Sequence, residues 1–131
     1  MPSETTILIV EDDQHDSYLL ARQLQQAQAD DNVTIVRDGW QAFEFLEHAE
    51  TLPLAIFLDL KLPGQSGLEI LERLKKNPRY RSIAVIIMTG SIDPAELKKC
   101  RELDANDILA KPITLSSFIK TVAHILPVAP I

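Results

Sequence analysis

Residues 7–13 read "ILIVEDD": four apolar residues run without a break into three carboxylates, and Asp16 follows three positions later. An unbroken apolar run of this length describes a strand covered on both faces, as in a parallel sheet. Its acidic end is costly, because two like charges about 4 Å apart repel by roughly 4 kcal/mol at an effective dielectric near 20. The strand must therefore deliver these side chains to a place where their charge is compensated.

The apolar pattern recurs in "VTIV" (33–36), "LAIFL" (54–58), "IAVIIM" (83–88) and the weaker "DILA" (107–110). Helical spacing fills the gaps. Leu20, Leu24 and Ala27 fall at i, i+4 and i+7, and Leu115, Phe118, Ile119, Val122, Ile125 and Leu126 make a longer stripe. The segments "GWQAFEFLEHAE" (39–50), "SGLEILERLKKN" (66–77) and "DPAELKKCRELD" (93–104) supply the other helices, the last with Asp93 as N-cap and Pro94 at the first helical position. Five strands alternating with five helices predict an α/β domain around a mostly parallel sheet. Five such units of about 25 residues each nearly exhaust the chain. We therefore expect one domain over 1–131, with its core over about 5–126 and an apolar, proline-containing tail, "PVAPI", at 127–131.

Composition bounds the function. The chain is 46% hydrophobic and 24% charged with a formal net charge of −6, which disfavours general affinity for nucleic acid or an anionic membrane. Cys100 has no partner for an intrachain disulfide, no run approaches the roughly 20 apolar residues that span a bilayer, and "MPSETT" lacks the features of a signal peptide. A cytoplasmic location is the expectation.

In open parallel sheets ligands bind beyond the carboxyl ends of the strands. Strand 1 ends at Glu11 and Asp12, strand 3 at Asp59, strand 4 at Thr89 and Gly90, and strand 5 at Lys111 and Pro112. If strands 1 and 3 are neighbours, three carboxylates converge, with a hydroxyl and an ammonium opposite. Such a cluster raises its own pKa values or recruits a cation. Oxygen ligands without a Cys or His set favour Mg²⁺, Mn²⁺ or Ca²⁺, and Mg²⁺ leaves coordination positions for a phosphoryl group. Lys111 and Thr89 are suited to contact that group, and Asp59 to carry it as an aspartyl phosphate.

In order and spacing, "ILIVEDD", "FLDLKLPGQSGLEIL" (57–71), "IIMTG" (86–90) and "AKPI" (110–113) resemble the receiver domain of two-component response regulators over nearly the whole chain. The resemblance implies the flavodoxin-like receiver fold, a doubly wound five-stranded parallel sheet of order 2-1-3-4-5 with helices on both faces. It implies Asp59 as phosphoacceptor and Glu11, Asp12, Asp59 and the backbone carbonyl of Lys61 as the Mg²⁺ site, with Mn²⁺ as the alternative ion. Lys111 and Gly90 would contact the phosphoryl group, Thr89 would be the switch hydroxyl, and the Lys111–Pro112 bond would be cis. The donor would be a sensor histidine kinase or a phosphotransfer protein. One departure concerns Ile108, which stands where many members carry the switch Tyr or Phe. Together with "VRDGWQAFEFL" (36–46), the pattern is most similar to single-domain regulators serving phytochrome-like kinases. Output would then be contact with a downstream protein target or a second copy of the chain, with no nucleic acid or membrane partner.

Plainer readings apply elsewhere. Asp13 and Asp16 read as caps of helix 1, and His15, His48 and His124 as exposed helix positions. Cys100 reads as a small core residue. Ala42, Phe43 and Leu46 suffice to pack helix 2, which leaves Trp40 or Phe45 partly outward. Lys61 and Ser91 flank the expected phosphoryl position and would tune water access, and Val128 and Ile131 would fold back, fray or pack on a second subunit. Three other functions compete with phosphoacceptance. A degenerate receiver acting as a scaffold would normally lack the acceptor Asp or the Lys, and both are present. An aspartyl-phosphate phosphohydrolase of the haloacid-dehalogenase type would need an acid where Lys61 stands. A flavin site would need a phosphate-cradling loop where "EDDQHD" (11–16) would repel the ligand. We therefore expect no classical enzyme, beyond help with its own phosphorylation and dephosphorylation.

Overall fold

The computed structural model describes residues 6–26, 33–90 and 93–125. Five strands, β1 (Ile7–Val10), β2 (Val33–Val36), β3 (Ala55–Asp59), β4 (Ala84–Thr89) and β5 (Asp107–Ala110), form one parallel sheet of order β2-β1-β3-β4-β5. Between and after them run α1 (Gln14–Gln26), α2 (Gly39–His48), α3 (Gly67–Lys76), α4 (Pro94–Glu102) and α5 (Leu115–Ile125).

The period-two geometry of a strand divides each apolar run between two cores. Leu8, Val10, Ile56, Leu58, Val85 and Ile87 face a cluster completed by Ala42 and Leu46 of α2, Ile70, Leu71 and Leu74 of α3, and Cys100 of α4. Ile7, Ile9, Ala55, Phe57, Ile86 and Met88 face the other, with Leu20 of α1 and Phe118 of α5. Burying a side chain of this size contributes about 1.5–3 kcal/mol, so the central strands are apolar up to their last residues, where β3 ends in Asp59 and β4 in Thr89. Only the edge strands β2 and β5 carry exposed residues within the sheet.

Helix starts are set by local chemistry. Asp38 and Ser66 accept bonds from the amides of Gln41 (2.8 Å) and Glu69 (3.2 Å), and Asp93 from that of Ala95 (3.0 Å) ahead of Pro94. Asp13 accepts from the amides of His15 (2.8 Å) and Asp16 (3.0 Å), so it caps α1 as read.

Some local expectations need correction. Leu54 lies outside β3 and is 55% exposed, and Ile119 is 44% exposed although the helical stripe included it. Thr121 is buried on α5 and hides its hydroxyl by donating to the Ser117 carbonyl at 3.0 Å. Other expectations agree with the structure: Trp40 is the outward residue of α2, 77% exposed, while Phe43 and Phe45 are half-buried. His15, His48 and His124 are exposed and Cys100 is buried. The side chains of Leu24, Leu115, Val122 and Ile125, and residues Ala27, Ser91, Leu126 and the tail 127–131, lie outside what the structure describes.

The β3–α3 connection decides how Asp59 is presented. Gly64 turns the chain with φ +77°, a left-handed conformation that favours glycine. Gly67, the first residue of α3, donates its amide to the Leu60 carbonyl at 2.8 Å. A Cβ at Gly67 would lie 2.3 Å from the Asp59 carbonyl oxygen and 2.6 Å from the Leu60 Cα. The glycine thus lets the helix start directly against the end of β3.

Candidate functional site

Because β1 lies between β2 and β3, with Val10 opposite Leu58, the chain leaves both strands at the same rim. Glu11 follows β1, its amide bonded to the Val36 carbonyl at 2.9 Å, and its side chain is buried at 2% residue exposure. Asp59 closes β3 and is 7% exposed. Thr89 closes β4 and is buried, and its carbonyl accepts the Lys111 amide at 2.7 Å, which fastens the lysine's backbone to the neighbouring strand. Gly90 beside it is exposed. The Lys111–Pro112 peptide bond is cis.

The lysine reaches across the sheet. Its Nζ donates to Glu11 Oε1 at 2.7 Å, Asp16 Oδ2 at 2.9 Å and Asp59 Oδ2 at 3.1 Å, which uses all three ammonium donors. The second oxygen of Asp59, Oδ1, accepts the Lys61 amide at 3.0 Å, and Glu11 Oε2 accepts the Asp13 amide at 3.2 Å. Asp12 points elsewhere and pairs with Arg37 at 3.5 Å on the exposed side of the rim. Ile108 lies on β5 opposite Ile87, half-buried against the core on the α2–α4 face.

The structure therefore brings Glu11, Asp59 and Lys111 into direct contact and sets Thr89 at the next strand end. It also adds Asp16, which the sequence reading assigned to capping. Asp13 does the capping, and Asp16, three positions beyond it in the first turn of α1, turns its carboxylate to Lys111. The signal that could have found it is that an ammonium has three donors to satisfy and residue 16 lies in the first turn of α1, directly after the rim.

Three carboxylates around one ammonium leave a net negative rim. Burial, reinforced by the nearby Asp59, lifts the Glu11 carboxyl from 4.5 to about 7, against the opposing pull of Lys111. For Lys111, burial disfavours the charged form, but its three carboxylate partners outweigh that and hold it above the usual lysine range. The donors are hard oxygens in charge excess, the chemistry that suits Mg²⁺ or Mn²⁺. Among the described residues, however, no three acidic, histidine or cysteine side chains are arranged as a metal cage; Lys111 and Arg37 hold the carboxylates.

The Glu11 shift has a sign that stability measurements will detect. Between pH 4.5 and about 7 the folded state holds a proton on Glu11 that the unfolded state has released, so this group's contribution to stability falls as pH rises. In metal-free buffer we expect a loss of roughly 2 kcal/mol from this group across that window. Glu11→Gln should remove that part of the slope in urea denaturation at several pH values; an unchanged slope would contradict the assignment.

Residues 7–123 match the family described as the response regulator receiver domain. Rcp1, a response regulator of Synechocystis sp., is 35% identical over 124 residues, covering 91% of this chain and 84% of its own length. Its Mn²⁺-bound crystal structure aligns with TM-score 0.77 at 34% identity, over 95% of this chain and 91% of that one. The bacteriophytochrome response regulator RtBRR aligns with TM-score 0.85 at 33% identity, over all of this chain and 82% of that one. The phosphorylated cyanobacterial phytochrome response regulator RcpA aligns with TM-score 0.79 at 29% identity, over 94% of this chain and 91% of that one. Phosphorylation on aspartate is characteristic of the family. A parallel sheet of order 2-1-3-4-5, an aspartate at the end of its third strand and a match over nearly the whole chain agree: this protein belongs to the response regulator receiver domain family of two-component signalling.

Proposed function

We propose that Asp59 is the phosphoacceptor of this receiver domain and takes its phosphoryl group from phosphohistidine on a sensor kinase or phosphotransfer protein. The observation that carries the reading is the fixing of Asp59 at the sheet rim, one oxygen on the Lys61 amide at 3.0 Å and the other on the Lys111 ammonium at 3.1 Å. In the transfer a carboxylate oxygen of Asp59 bonds to phosphorus while the phosphorus–nitrogen bond breaks, and the imidazole keeps that electron pair and takes up a proton. A divalent ion held by Glu11, Asp12, Asp59 and the Lys61 carbonyl would neutralise charge on the transferring oxygens. Lys111 balances charge on the opposite side, and the exposed Gly90 leaves room beside Thr89.

Thr89 is the switch residue in this reading. Its hydroxyl sits at the last position of β4, so drawing it toward a phosphoryl oxygen displaces the β4–α4 connection. Ile108 has neither a hydroxyl nor a flat ring, and its half-buried side chain packs against the core, so the change leaves the domain through β4 and α4 without a matching aromatic swing. The output is contact between that face and a downstream protein target or a second copy of the chain. No helix among the described residues is long and apolar enough to cross a membrane.

Incubation with acetyl phosphate and Mg²⁺ tests the proposal. We expect the added mass of one phosphoryl group, removed by base and absent from Asp59→Asn. Sustained turnover of varied phosphomonoesters would point to a hydrolase. Absence of label with small donors and kinases alike would point to a scaffold.

A further inference from the structure

Among the described residues Lys111 is the one ammonium paired with the three carboxylates at the rim, and its partners differ in what else they must do. In the phosphoacceptor reading, on which this inference rests, Glu11 and Asp59 also belong to the cation site. Asp16 does not: it stands on α1, is about one-third exposed, and meets the lysine from outside the pair of strand ends at 2.9 Å. When Glu11 and Asp59 turn toward a divalent cation, their attraction for the ammonium is largely spent, and two positive centres share one rim. Without another anion the lysine would have to leave the rim or compete with the metal for the same oxygens.

We infer that Asp16 is a positioning residue for Lys111, giving the ammonium a counter-charge outside the metal's ligand set so that lysine and metal occupy the rim together. The two consequences of removing its charge have the same sign. The rim becomes less negative, and the lysine falls back on Glu11 and Asp59; both weaken metal binding. Because the lysine's backbone is fastened to Thr89 by its own amide, the side chain has a fixed base from which it swings between the strand-end carboxylates and α1. Asp16 therefore also ties the first turn of α1 to the state of the site.

The test is direct binding of Mn²⁺ alone, followed by the free-ion signal in electron paramagnetic resonance, with thermal melts to confirm that each variant is folded. Asp16→Asn keeps the side-chain shape and removes the charge. We expect it to weaken Mn²⁺ binding roughly five- to tenfold, the scale of one partly screened unit charge near the ion. In a Lys111→Met background, with Lys111→Gln as the independent second background, the effect of Asp16→Asn should shrink at least threefold, since the residue acts through the lysine. Equal binding by the wild type and Asp16→Asn overturns the inference. So does a loss of the same size in both backgrounds, which would make Asp16 a through-space charge and no more. A wild type that takes up no Mn²⁺ overturns the phosphoacceptor reading itself, and is distinguished from the other outcomes because it needs no variant.

Discussion

Replacing Lys111 by methionine is expected to slow phosphoryl incorporation from acetyl phosphate by about a hundredfold, the typical loss when one preorganised donor to a developing anion is removed. The methionine stem fills similar space, so the change isolates the charge. Its effect on stability depends on pH. Glu11, Asp16 and Asp59 all lose their shared partner, and breaking a buried ion pair costs about 3–5 kcal/mol when the remaining charge stays uncompensated. Here the cost is smaller, because Asp16 is partly exposed and Glu11 already titrates near 7 and accepts a proton instead. We expect about 2 kcal/mol at pH 8 and less at pH 5, read from urea denaturation in metal-free buffer. Divalent-ion binding should tighten in the same variant, since the competing ammonium is gone. Wild-type labelling rates in Lys111→Met would show that the ammonium has no part in the transfer.

The second large effect is expected at Gly67. A methyl group there meets backbone rather than a side chain that could swing away, 2.3 Å from the Asp59 carbonyl oxygen. Either α3 moves outward or the end of β3 does, and both disturb the phosphoacceptor. Overpacking of this kind costs typically 1–3 kcal/mol, and contact with rigid backbone puts Gly67→Ala at the upper end, about 3 kcal/mol. Labelling of Asp59 should fall along with stability. For stability alone Gly90→Ala makes the control, because a Cβ at that position meets nothing within 4 Å. Equal stability and labelling in Gly67→Ala would mean that the β3–α3 junction has slack that its contacts do not suggest.

Much of this arrangement was legible in the residues. The central strands announced themselves because a sheet covered on both faces is apolar up to its carboxyl-terminal rim, and β1, β3 and β4 fall within one residue of the apolar runs that predicted them. Asp59 and Lys111 followed from reading what stands just beyond each strand. Less legible was anything that depends on helix rotation or side-chain direction. Ile119, placed in the apolar stripe, is exposed while Thr121 is buried, because a threonine that bonds its own helix is nearly as easy to bury as an apolar residue. Asp12 was paired with Glu11 by adjacency in the sequence, yet the two meet different cations, Asp12 the exposed Arg37 just after β2 and Glu11 the half-buried Lys111. Asp16 was hidden because an acid in a first helical turn has a sufficient local explanation, favourable interaction with the helix dipole, and only the three-dimensional path of Lys111 displaces it.

The most direct measurement is chemical mapping of the acceptor. After incubation with a phosphohistidine donor and Mg²⁺, borohydride reduces an aspartyl phosphate to homoserine, releasing phosphate and marking the residue permanently for peptide sequencing by mass spectrometry. The arrangement at the sheet rim predicts homoserine at position 59 alone, lost when the metal is chelated. Homoserine at any other carboxylate, or a phosphoryl group recovered on a histidine or serine, would contradict it.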